Sequence, residues 1–162
     1  MASSVTSASL TVNLTEACSL NNIERGSSVK FVQSGIGEIF NNILSVTTSG
    51  TDIIQFASTV GAGVLSTASS GAGKVEYIRI TNLDSTNYVD VTFSDAINPG
   101  SAGRLFALRL KPLRSFSCSG LEFNSADSGD ADNALAASGL VANIRGIANT
   151  AACDVEILVA SV

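Results

Sequence analysis

At 162 residues the chain is long enough to bury a sizeable core as one domain without disulfides or metals. Its 45% hydrophobic content excludes a disordered tail, and a net charge of −5 argues against a dedicated nucleic-acid binder, which needs a basic surface to neutralise phosphates. There is no histidine, which excludes Ser-His-Asp and Cys-His nucleophile systems and removes the commonest metal ligand.

The dominant period along the chain is two. Leu10, Val12 and Leu14 alternate with Thr11, Asn13 and Thr15, the pattern of a half-buried strand. The residues before it, 1–8, read as an extended N-terminal arm. Val29 and Phe31 mark a second short strand. Ile36, Ile39, Phe40, Ile43 and Leu44 fit helical spacing, while Phe40, Leu44 and Val46 with Asn42 fit a strand. The strand is favoured, because Ser49-Gly50 and then TDIIQFA follow as a hairpin would require. Residues 58–73 are small and Gly/Ser-rich, which predicts a flexible loop.

VEYIRIT, NLDST and NYVDVTF then predict a β-hairpin over residues 75–93. Ile78 and Ile80 share one face, and Val89, Val91 and Phe93 share one face of the next strand. Asn98-Pro99-Gly100 is a turn. Phe106, Leu108 and Leu110 point inward, with Leu105, Ala107 and Arg109 outward, and Pro112 ends or kinks that strand. RSFSCSGLEF is another strand, with Phe116 and Cys118 on one face. After a polar loop over 124–139, Leu140 to Ile147 and Cys153 to Val159 make a last pair. The sum is about nine or ten short strands, which predicts an all-β chain folded as a single antiparallel β-sandwich or jelly-roll-like barrel spanning 1–162.

Sequence candidates for chemistry are sparse. Gly71-Ala72-Gly73-Lys74 imitates the end of a phosphate-binding loop, but Ala68 and Val75 stand where glycine and Ser/Thr are needed. Asp127, Asp130 and Asp132, with Asn133, are dense enough to hold a hard cation, without the EF-hand spacing. Asp90 with Asp154, or Glu76 with Glu156, could meet across strands as a carboxylate pair. Cys18, Cys118 and Cys153 are far apart and odd in number, which reads as free thiols in a reducing compartment. Asn13-Leu14-Thr15 matches a glycosylation sequon, but the N-terminus lacks a secretory pattern. No apolar run is long enough to cross a bilayer. The expectation is a chain that is not an enzyme, with no catalytic residues, no cofactor, no metal and no membrane or nucleic-acid partner.

Two features point to protein contact instead. Arg104, Arg109, Lys111 and Arg114 form a basic stripe suited to an acidic partner or, more simply, to the wet side of a strand. Outward positions such as Thr11, Asn13, Ala107, Ser115, Ser117 and Ala142 are small and neutral, so they can meet another subunit with little entropy loss.

The runs YIRITNLDSTNYVDVTF, LFALRLKPLRSFSCSG and ANIRGIANTAACDVEILVAS resemble small β-sandwich virion proteins of tailed bacteriophages, over residues 75–160. Those proteins carry an L-x-P-G-x-S-F-like segment. Here the turn reads Lys111-Pro112-Leu113-Arg114, with Leu113 in the place of the glycine that would accept a positive φ. The resemblance implies a capsid decoration (cement) protein, often a homotrimer, made in the host cytoplasm and bound to the major capsid protein on the virion surface. The alternatives are another phage virion component, such as a head fibre, neck or tail protein, or a glycan-binding surface module.

Overall fold

The alternating apolar side chains set the strands, and the computed structural model shows how the strands are shared between sheets. It describes residues 7–55, 65–66, 75–94, 104–119 and 143–161. Within them run β1 (Ala8–Glu16), β2 (Ser19–Leu20), β3 (Ile23–Glu24), β4 (Ser27–Ile36), β5 (Glu38–Val46), β6 (Thr51–Gln55) and β7 (Leu65–Ser66). They are followed by β8 (Val75–Asn82), β9 (Val89–Ser94), β10 (Arg104–Leu110), β11 (Ser115–Ser119), β12 (Asn143–Ala148) and β13 (Cys153–Ser161). Ten are longer than two residues, as expected, and the described residues contain no helix.

Two sheets face each other. One has the order β11-β8-β13-β5, and the other β10-β9-β12-β6-β7. The pairs β9–β10, β8–β11, β6–β12 and β5–β13 are antiparallel and nested one inside the next. A long two-armed ribbon rolled over on itself gives this order, which is that of an eight-stranded jelly roll. Val46, Ile78, Ile80, Val155 and Ile157 from one sheet meet Ile53, Val89, Val91, Phe93 and Ile144 from the other, all with no solvent exposure. Phe93 stacks on Phe106 at 4.2 Å between ring centres and meets Phe116 edge-on at 5.7 Å. Gly146 faces this core because a Cβ there would lie 2.9 Å from Ile53 Cδ1 and 3.0 Å from Val46 Cγ1.

The expected hairpins at Ser49-Gly50 and over 75–93, and the expected last pair, are corrected. β5 and β6 lie in different sheets, as do β8 and β9, and β12 and β13. Each link is a corner that carries the chain across the sandwich. Period-two alternation reports which face of a strand is buried, and a corner between stacked sheets satisfies it as well as a hairpin does. The β10–β11 link over Lys111–Arg114 is a fourth such corner.

The four corners gather at one end and hold one another. Asn82 Nδ2 donates to the carbonyls of Asn87 (2.8 Å), Leu110 (3.2 Å) and Lys111 (3.3 Å), and its Oδ1 accepts from the Asp84 N–H at 3.0 Å. Leu113 N–H donates to Asp84 O, Leu83 N–H to Asp154 O, Asn149 N–H to Tyr88 O, and Ala148 N–H to Thr47 O. Leu113 takes φ +55° with a leucine side chain, and Arg114 N–H closes the turn on Lys111 O at 3.2 Å. The position therefore has the left-handed backbone that glycine would supply, at a steric cost.

Residues 8–36 form a ribbon that belongs to neither of the two sheets. β1 pairs with β4, with Leu10 opposite Gln33, Val12 opposite Phe31 and Leu14 opposite Val29, and the tip carries β2 paired with β3. The strands expected near 10–14 and 29–31 are thus partners of each other. The expected arm over 1–8 and the expected loop over 58–73 fall mostly outside the described residues; within the latter, Leu65–Ser66 is a strand parallel to β6.

Candidate interaction surface

The outer face of the β11-β8-β13-β5 sheet is best followed in rows across the strands. Register puts Ile39, Ala160, Tyr77 and Ser119 in one row, Asn41, Leu158, Arg79 and Ser117 in the next, and Ile43, Glu156, Thr81 and Ser115 in a third. In the third row Thr81 Oγ1 and Ser115 Oγ share a hydrogen bond at 2.9 Å. Arg79 Nη2 donates to Glu156 Oε2 at 2.7 Å, which neutralises the middle of the face.

The ribbon lies over the first two rows. Period two puts Leu10, Val12, Leu14, Val29 and Phe31 on one of its faces. Ile36 packs with Ala160 and Tyr77, joined by Leu10, Val12, Phe31 and Leu158. Phe31 and Tyr77 rings stand 6.2 Å apart. Gly37 N–H to Ser161 O, at 2.9 Å, anchors the ribbon's base. Further out, Leu14 and Val29 roof a cleft of about 650 Å³ floored by Tyr77, Arg79, Leu158 and Ser117–Ser119. The ribbon therefore starts over β13, crosses β8 and leaves across the β11 edge.

Past that point its apolar face has no partner among the described residues. Leu14 and Val29 are each 57% exposed, and Leu20 and Ile23 at the tip are exposed to 62% and 53%. Two strands alone are marginal in water. Burying the exposed half of each such side chain contributes about 1 kcal/mol, so a covered ribbon is markedly more stable than a bare one.

At the opposite edge, β5 shows a matching apolar surface. Ile39 and Ile43 are 54% and 56% exposed. Ile43 continues into a shallow recess with Leu83, Asp84, Ser85, Ala152 and Asp154. The Asp84 carboxylate accepts from the backbone N–H groups of Asn87 and Thr86, which holds its pKa below the ordinary aspartate value. Beneath the recess, burial first, and then the charges of Asp84 and Asp154, push the Cys153 thiol up. Burial also pushes the Cys118 thiol up, to about 11.

The structure separates the carboxylates considered as pairs. Asp90 lies on β9, where Arg109 grips it through Nε at 2.7 Å and Nη2 at 2.9 Å while stacking over Tyr88, whereas Asp154 lies on β13 of the other sheet. Glu156 lies opposite Thr81, five residues along β8 from Glu76, and is bound to Arg79. The basic stripe is not continuous either: Asp90 neutralises Arg109, and Lys111 and Arg114 sit in the corner turn. Gly71–Lys74, Asp127, Asp130, Asp132, Asn133 and Ala142 lie outside the described residues. Within the described residues, no three Cys, Asp or Glu side chains gather in a way that could hold a metal. Thr11, Asn13, Ala107, Ser115 and Ser117 are exposed, as expected of small neutral outer faces. The overhanging ribbon was missed in the sequence; the only signal for it was that strands 10–14 and 29–31 share a polarity pattern.

No family model matches this chain, and no curated protein or solved structure matches it.

Proposed function

We propose that this chain is a structural protein that works by repeated protein–protein contact, and that its place is the outer surface of a virion capsid, as a decoration or cement protein. The observation that carries the contact reading is the ribbon: an apolar face, half seated on its own sheet and half open. Such a ribbon gains stability when a neighbour covers it, and loses little side-chain entropy through its Ser, Thr and Asn rim. The likeness of residues 75–160 to small phage β-sandwich virion proteins supplies the capsid as the setting. The jelly-roll order is compatible with that setting, as with many others.

The mechanism is mass action. Modest contacts repeated over a lattice stabilise the assembled shell over its separate subunits. The test is co-sedimentation of the purified chain with shells lacking it, followed by heating. Saturable binding at one copy per repeated lattice position, with a higher shell disruption temperature, is the expected result. Absence of binding to expanded shells overturns the capsid setting.

A further inference from the structure

We infer that the overhanging half of the ribbon docks on a second copy of this chain, across the Ile39–Ile43 edge of its outer sheet face. The inference rests on the contact reading above and names the partner.

Three observations lead there. The first is continuity. Leu10, Val12 and Phe31 already pack on Tyr77, Leu158 and Ala160, and Leu14 and Val29 extend the same apolar face with nothing beneath them but the cleft. The surface that face already fits is this outer sheet face, and each copy leaves Ile39 and Ile43 of it uncovered.

The second is geometry. From Ile36 to Ser27 the ribbon runs roughly 30 Å, while the four strands of the outer face span only about 14 Å. The ribbon leaves across the β11 edge, whereas the uncovered isoleucines lie on β5 at the opposite edge. A ribbon thus points away from its own β5 and towards the β5 of a copy placed alongside.

The third is charge. The recess beside Ile43 is lined by Asp84 and Asp154 and by no cation. The overhanging half, residues 13–30, carries Arg25 and Lys30 against Glu16 and Glu24, so it is neutral overall and offers two cations to the recess. Neither Arg25 nor Lys30 forms an ion pair with a described residue.

The ribbon leaves one edge of the sheet and the β5 surface lies at the opposite edge, so two copies side by side cannot exchange ribbons and the interface is head-to-tail. Such an interface closes into a ring or grows into a filament. That property gives the test. Light scattering on the full chain over a concentration series is expected to show oligomers. Val29→Lys in the ribbon and Ile43→Lys on β5 are each expected to give monomers that still melt cooperatively, since both side chains are more than half exposed. Mixed in equal amounts, the two variants still hold one intact ribbon and one intact β5 edge. They are expected to form a one-to-one dimer that grows no further.

A monomeric wild-type chain, variants that keep the wild-type oligomer, or a mixture that stays monomeric would each overturn the inference. Leu14→Lys and Ile39→Lys provide a second pair, should the first melt early. Shell binding is measured separately on the same variants. Shell binding by a wild-type chain that stays monomeric overturns this inference and leaves the capsid reading standing; self-association without shell binding does the reverse.

Discussion

The Asn82 side chain donates to Leu110 O at 3.2 Å, so one buried amide on β8 ties its sheet to the end of a strand in the facing sheet. The same group serves Asn87 O and Lys111 O and accepts from Asp84, which makes it the common fastening of two corners. Asn82→Ala leaves these buried groups unpaired, and a loss of about 2–4 kcal/mol is expected. Urea unfolding measures it. A midpoint equal to that of wild type would show that the corners hold without the amide.

Leu113 gives the opposite expectation. Its φ of +55° costs a leucine about 1–2 kcal/mol, and its side chain is 59% exposed, so little burial is lost on removing it. Allowing for the entropy glycine adds to the unfolded chain, Leu113→Gly is expected to stabilise by about 0.5–1 kcal/mol. Thermal melting of the two chains decides it, and a destabilised glycine variant would mean that the leucine makes a contact worth more than the strain.

Asp84 makes the corner sensitive to acid. Its folded pKa is lowered by the N–H groups of Asn87 and Thr86. Its contribution is therefore fully present above the unfolded value of about 4 and is lost as pH falls through the lower folded value. The melting temperature of wild type is expected to drop below about pH 4, and Asp84→Asn is expected to flatten that part of the profile. Identical profiles would remove Asp84 from the account.

The three cysteines are expected to differ in reactivity. Cys18 is exposed at the ribbon tip, while Cys153 is buried and Cys118 half-buried with its thiol at about 11. Native protein at pH 8 is expected to give one fast thiol with a disulfide reagent, and the unfolded chain all three. Fast labelling of Cys153 in native protein would show that the core opens locally.

Val91→Asp is expected to abolish folding, because the side chain has no exposure and an unpaired charge would enter the core between the sheets. Soluble mutant protein with a cooperative melt would place the β9 core face elsewhere.

How far the sequence reached can be traced through particular strands. The faces of β8, β9 and β13 were legible, because Ile78, Val91 and Val155 sit at period-two positions, and all three are buried. What those strands pair with was not legible. Asn82 to Tyr88 reads equally as a hairpin loop or as a crossing between sheets, since the deciding bonds run to Leu110, Lys111 and Arg114, which are distant in sequence. The contact surface was legible only as composition. Ser115 and Ser117 announce a small neutral face, but the opposition of Leu14 to Val29 depends on a register that no local pattern states. Likewise Arg109 looked like part of a cationic stripe until strand pairing set Asp90 beside it.

The place of β13 sets a clock on the birth of the molecule. It lies between β5 and β8, bonded to both, so these two strands wait for one that is synthesised after them. Until Cys153–Ser161 leaves the ribosome, Ile43 and Ile80 belong to open strand edges that invite wrong partners. The inner pair, β9 with β10, can zip at once, whereas closing the outermost pair must bring distant parts of the chain together. The closing of this sheet is thus set by the synthesis of β13 and not by that of the strands it joins.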